Sequence, residues 1–90
     1  MKLISVTKSD RDKKKWKAIF EGSDGRRTTT HFGFKGMDDY TITGNKDQRE
    51  RYRSRARSQL QGRGPTSPAY LSFYLLWGDS KSLQENIRNY

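Results

Sequence analysis

Five arginines fall on alternate positions of one short segment: Arg49, Arg51, Arg53, Arg55 and Arg57. A guanidinium group grips phosphate oxygens through a planar fork that stays charged at any physiological pH, so this spacing points to polyanion binding. A second cluster, Lys13-Lys14-Lys15-Trp16-Lys17, sets four ammonium groups around an indole that could either stack on a base or belong to the core. Other reactive side chains are sparse. His31 is the single histidine and has no neighbour at the spacing of a metal site or a nucleophile system, so a structural or solvent-facing role is expected. Asp38 and Asp39 are the one adjacent carboxylate pair, and such neighbours also serve as turn formers or helix caps. A metal-dependent nuclease built on His31, Asp38 and Asp39 is the remotest of the readings considered. The spacing of Gly33, Gly36 and Gly44 fits neither a phosphate loop nor a dinucleotide fingerprint. The chain is therefore read as non-enzymatic, with no catalytic residue, metal or cofactor.

The elements that must hold these residues change character along the chain. Lys2 to Thr7 and Lys15 to Glu21 alternate with period two and carry β-branched and aromatic residues, the signature of half-buried strands. Ser23-Asp24-Gly25 reads as a three-residue hairpin loop with Gly25 at the positive φ of a type I turn plus bulge. That loop length sets Phe20 opposite Thr28, Ala18 opposite Thr30 and Trp16 opposite Phe32, which makes Arg26 to Phe32 the third strand. Residues 34–45 are expected to be a loop. From Lys46 to Leu60 the period becomes helical, with Tyr52, Ala56 and Leu60 forming a narrow apolar stripe. Arg49, Arg53 and Arg57 line one flank of that stripe and Arg51 and Arg55 the other. Gly62-Arg63-Gly64-Pro65 ends the helix. Ser67 before Pro68 is a helix start, and Ser82-Leu83-Gln84-Glu85 is a capping box for a last helix whose Leu83 and Ile87 face inward. Strands first and helices after give an α+β fold: a small antiparallel sheet of about three strands, with two to three short helices packed on one face.

Length and composition set the limits. Ninety residues make one small domain, 1–90, comprising a β-sheet part (1–33), the loop and a helical part (46–90). Hydrophobic residues are 30% and charged residues 32% of the chain, so the core is thin, yet two Trp, five Tyr and four Phe are too much bulky apolar surface for a chain that never folds. There is no cysteine, hence no disulfide and no thiolate site. The most apolar run, Tyr70 to Trp77, is interrupted by Ser72 and far shorter than the ~20 residues of a membrane span. The formal net charge is +9 and is concentrated: residues 8–17 carry a net of +4 and residues 46–63 a net of +5. Clustered like charge repels itself, and a polyanion relieves that repulsion. No zinc finger, RNP-type aromatic motif or helix-turn-helix pattern is present, so binding would be backbone-directed and electrostatic. Ser54 and Ser58 follow arginines in the manner of basophilic kinase sites, where phosphate would subtract charge. The segment from Tyr70 to Trp77 is apolar around most of its helix, marking either a central core element or a partner-facing surface of Tyr70, Phe73, Tyr74 and Trp77.

The assembled words Thr29-Thr30-His31-Phe32-Gly33, Lys35-Gly36, Asp39-Tyr40-Thr41, Arg51-Tyr52 with Arg55, and Leu75-Leu76-Trp77-Gly78-Asp79-Ser80 with Ser82-Leu83 and Asn86-Ile87 carry a resemblance over roughly residues 13 to 90. The chain resembles a family of small uncharacterised proteins of large and giant double-stranded DNA viruses. Two positions depart from the pattern: Phe34 stands where a small residue is usual, and Ala56 where histidine is usual. The resemblance implies a viral protein, in the virion or the infected host cell and not secreted. Two functions follow as expectations. One is a genome-associated basic protein that contacts nucleic-acid phosphates, chiefly of duplex DNA and without sequence preference, through Lys13, Lys14, Lys15, Lys17 and Arg49 to Arg57. The other is a minor capsid component that docks acidic virion proteins and seats Tyr70, Phe73, Tyr74 and Trp77 in a partner's groove. Neither involves a membrane, and oligomeric state is left open.

Overall fold

A computed structural model describes residues 1–90. Three strands, β1 (Lys2–Lys8), β2 (Lys14–Glu21) and β3 (Arg27–Phe34), form one antiparallel sheet in the order β1-β2-β3. The β2–β3 register is the expected one: Phe20 faces Thr28, Ala18 faces Thr30 and Trp16 faces Phe32. Gly22 N–H donates to Arg26 O (2.9 Å), closing the three-residue loop, and Gly25 takes φ 81°, which a side chain would resist. The β1–β2 pairing carries an irregularity the sequence did not announce. Leu3 faces Phe20 and Val6 faces Ala18, with a register shift between Leu3 and Ser5. Three residues apart, Leu3 and Val6 would point to opposite faces of a regular strand; the bulge lets both pack on the core. Ile4 is left on the exterior.

The helices are four rather than two or three. Residues 34–45 are not all loop, because Asp39 caps a single turn, α1 (Tyr40–Thr43), by accepting from Thr41 N–H (2.9 Å). α2 (Lys46–Ala56) is capped by Asn45, which accepts from Gln48 N–H, and tightens into a 3₁₀ turn over Arg57–Leu60. α3 (Pro68–Leu71) starts at Ser67 with Pro68 in its first turn, as expected, and widens into a π turn over Ser72–Leu76 that Trp77 N–H closes onto Ser72 O (3.1 Å). α4 (Leu83–Arg88) starts at Ser82, whose hydroxyl accepts from Glu85 N–H.

One apolar cluster joins sheet and helices: Ala18, Phe20, Phe32, Tyr40, Leu71, Leu75, Leu76 and Trp77. Leu83 and Ile87 pack against it, and so does Trp16, which makes that indole part of the framework. Trp77 stacks on Tyr52 with ring centroids 4.5 Å apart, fastening α2 to the end of the π turn. Gly78 follows because nothing larger fits: a Cβ there would lie 2.1 Å from Tyr74 O. No helix is long and apolar enough to cross a membrane.

Candidate nucleic-acid interface

The arginines of α2 divide by flank. Arg49 lies over the Tyr40 ring (4.6 Å) and donates through Nη1 to the carbonyls of Asp79 (3.2 Å) and Gly78 (3.4 Å). Arg53 lies over Phe73 (5.0 Å) and donates to Asp79 Oδ1 (3.2 Å), and Arg57 sits 5.6 Å from the same ring. The side chains of Arg49 and Arg53 are only 15% and 16% exposed. Their stems cover aromatic surface while their heads satisfy the turn after the π segment, so they bind α2 to the body of the protein. Arg49 and Arg53 are therefore not the freely projecting side chains of the expected phosphate-binding flank, whereas Arg57 is exposed. Arg51 and Arg55, on the opposite flank, are exposed.

The lysines of β2 also divide. Lys13 is exposed, and its carbonyl accepts from Lys35 N–H, which brings those two residues side by side. Lys14 Nζ lies 4.2 Å from the centroid of Phe34. Lys15 is withdrawn from the set: only 13% exposed, it pairs with Asp39 Oδ2 at 2.7 Å and donates to the Met37 carbonyl. Lys17 sits opposite Thr7 and His31 in the sheet and is not among the cleft residues described next.

A cleft of about 560 Å³ opens between the β2/β3 end of the sheet and α2. Lys15, Phe34 and Met37 line one wall, and Gln48, Tyr52 and Arg55 the other. Thus one residue from each basic segment, Lys15 and Arg55, lines the same opening, together with Asp38 and Asp39. Arg51 adjoins Arg55 on the α2 side, beside Ser54. Phe34 is 59% exposed and Met37 is likewise on the surface, so the opening sets apolar side chains near the exposed Arg55. Burial pushes the Tyr52 phenol pKa up, and the Arg55 charge beside it opposes the rise. Asp38 is the one exposed carboxylate in the wall. Phe34, Lys35 and Met37 were not assigned a role from sequence. The available signal was their position around Gly36, just after Gly33, where a turn offers Phe34 and Met37 no core to enter.

The remaining candidates resolve as follows. Phe73 and Trp77 are buried in the body of the protein and cannot enter a partner's groove, which corrects the four-residue docking set; Tyr70 is half-buried and Tyr74 exposed. All-round hydrophobicity here marks a central element wrapped by sheet, α2 and α4. His31 Nδ1 lies 2.7 Å from Ser9 Oγ, which also accepts from Arg11 N–H. Asp39 is spoken for by Lys15 and by the α1 cap, while Asp38 faces solvent. No three His, Asp or Glu side chains come together as metal ligands, so His31, Asp38 and Asp39 do not assemble into a nuclease centre.

Fold and composition define a small basic α+β protein. The chain belongs to a family of unknown function (DUF5754), whose family model matches residues 4–56. It is similar to the uncharacterized protein L851 of Acanthamoeba polyphaga mimivirus, 34% identical over 80 residues that cover 82% of this chain and 80% of that protein. It is thus one of a group of small giant-virus proteins. No solved structure matches it.

Proposed function

We propose that this is a non-enzymatic nucleic-acid-binding protein that associates with viral genome through its phosphate backbone, without reading sequence. The observation that carries this reading is the set of exposed cations left free by the fold: Arg51 and Arg55 on the outer flank of α2, with Arg55 in the wall of the cleft, and Lys13, Lys14 and Lys35 at the sheet end that carries the exposed Phe34. Exposed cations on packed elements suit a phosphate backbone, and the exposed Phe34 and Met37 suit bases or sugars that come with it. Arg51 and Arg55 make no hydrogen bond or ion pair within the protein, so their donors remain available. Contacts of this kind release counterions, with a slope of log affinity against log salt of about −0.9 per phosphate neutralised on duplex DNA. Five such contacts predict a slope of about −4.5.

The test is fluorescence anisotropy of a labelled mixed-sequence duplex over a salt series starting near 50 mM, where electrostatic binding is strong. Micromolar affinity that falls steeply with salt, equally for unrelated sequences, is the expected result. Absence of binding at the lowest salt overturns the reading and leaves docking to acidic virion proteins as the use of the basic surface.

A further inference from the structure

Arg53 lines a second concavity, which shares no residue with the cleft beside Phe34 and Arg55. Its volume is about 280 Å³, at the small end of the range for ligand sites, and Arg53, Tyr70, Tyr74, Asn89 and Tyr90 line it. Arg53 Nε is the only buried side-chain nitrogen or oxygen in the chain without a hydrogen-bond partner. Such orphans are rare, because a buried charged donor left unpaired is costly. Of the three guanidinium nitrogens only Nη1 is engaged, at 3.2 Å from the largely solvent-exposed carboxylate of Asp79. Nε is covered, and Nη2 is left without a partner in the protein.

The surroundings favour an aromatic anion. Tyr70, Tyr74 and Tyr90 form a cluster with centroids 5.8 Å apart (Tyr70–Tyr74) and 6.2 Å apart (Tyr74–Tyr90). The Tyr90 hydroxyl is committed to the Pro65 carbonyl, and Asn86 is committed to the Leu75 and Ser80 carbonyls, so these two side chains fix the wall. The hydroxyls of Tyr70 and Tyr74 and the Asn89 amide make no hydrogen bond within the protein. The free hydroxyls and the Asn89 amide can donate beside the guanidinium, and Asp79 is the one acidic side chain of the lining. Ring faces to stack on and a free guanidinium nitrogen to pair with are together the requirements of a phosphate monoester carried on an aromatic ring.

We propose that the cavity formed by Arg53, Tyr70, Tyr74, Asn89 and Tyr90 binds the phosphate monoester of a nucleotide, with the phosphate at Nη2 of Arg53 and the base against the tyrosines. That chemistry has two sources, a free mononucleotide and the 5′-phosphorylated end of a strand. The site uses none of the cations assigned to the cleft, so it stands or falls independently of the genome-binding reading.

The experiment is a titration of the ¹⁵N-labelled full chain followed by NMR, with adenosine monophosphate, adenosine, inorganic phosphate, and thymidine pentamers with and without a 5′-phosphate. Expected are saturable shifts of the Arg53 Nε–H and the Asn89 side-chain amide with adenosine monophosphate, and binding at least about tenfold weaker for adenosine or phosphate alone. Tighter binding of the phosphorylated pentamer than of the monophosphate assigns the site to strand ends; tighter binding of the monophosphate assigns it to free nucleotides. Arg53→Lys keeps the charge but removes the fork and is expected to weaken binding about tenfold. Because Arg53 also holds α2 in place, Tyr74→Ala at the exposed edge is the companion variant, with the same loss expected and thermal stability nearly retained. No shift at millimolar monophosphate, or shifts unchanged in Tyr74→Ala, overturns the assignment.

Discussion

Lys15 Nζ lies 2.7 Å from Asp39 Oδ2, and the carboxylate in this pair is 2% exposed. The pair takes one cation out of the basic run of β2 and one carboxylate out of the adjacent acidic pair. It also ties the sheet to α1, since Asp39 Oδ1 simultaneously caps that turn. Breaking a buried pair by removing one partner strands the other charge, at about 3–5 kcal/mol, and the lost cap adds about 1 kcal/mol. Asp39→Ala is therefore expected to lower stability by at least about 3 kcal/mol in urea unfolding. Asp38→Ala, at an exposed site, is expected to stay within about 0.5 kcal/mol of wild type. Equal effects of the two substitutions would contradict the assignment of Asp39 to the interior.

Gly78 separates Trp77 from the turn that receives Arg49. With Tyr74 O at 2.1 Å and Asn86 side-chain atoms at 3.0 Å from an added Cβ, the backbone itself must move to accommodate alanine. Gly78→Ala is expected to cost about 3 kcal/mol, the upper end of overpacking penalties, and to disturb the stacking of Trp77 on Tyr52. Tryptophan fluorescence and thermal melting read both effects. A variant with wild-type melting and emission would show that the turn is looser than described.

Much of this architecture was legible in the residues themselves. The β2–β3 register followed from the three-residue loop, and the starts of α3 and α4 followed from Ser67 and Ser82, because hairpin geometry and capping are local. The bulge near Ile4 was not, since it answers to the core that Leu3 and Val6 enter together. The α1 turn was hidden because four residues carry no periodicity. At the interface, the helical pattern separated Arg49, Arg53 and Arg57 from Arg51 and Arg55, yet it did not say which flank meets the protein. That depends on Tyr40, Phe73 and Asp79, which only the folded chain brings to α2. The same folding event draws Phe73 and Trp77 inward and leaves Phe34 outside.

The two flanks of α2 are expected to separate in stability measurements. Arg49→Ala and Arg53→Ala each remove a ring contact and a hydrogen bond and are expected to cost about 1–2 kcal/mol. Arg51→Ala and Arg55→Ala are expected to change stability by less than about 0.5 kcal/mol. Chemical unfolding of the four single variants checks this; similar losses on both flanks would remove the distinction between interior and interface arginines.

Tyrosine ionisation offers a pH test. Burial, then the neighbouring Tyr70 and Tyr74 phenols, pushes the Tyr90 pKa up to about 12, and burial raises that of Tyr52. A phenol whose folded pKa exceeds its unfolded value stabilises the fold fully below the unfolded pKa, near pH 10, and that contribution is lost as pH rises towards 12. Stability is expected to fall between these limits, less steeply in Tyr90→Phe. Absorbance titration at the phenolate band should show Tyr90 ionising last. Ionisation of all five tyrosines together near pH 10 would contradict the packing around Tyr90.

The most direct test of the interface is the salt dependence of duplex binding in two variants that lose the same charge. Arg51/Arg55→Ala removes two cations beside the cleft, whereas Lys2/Arg88→Ala removes two exposed cations that do not line it. With binding focused on the cleft, the first variant shows a slope shallower by about 2 and the second keeps the wild-type slope. Equal slopes in the two variants would mean that net charge alone attracts the duplex, and that the cleft is not the site.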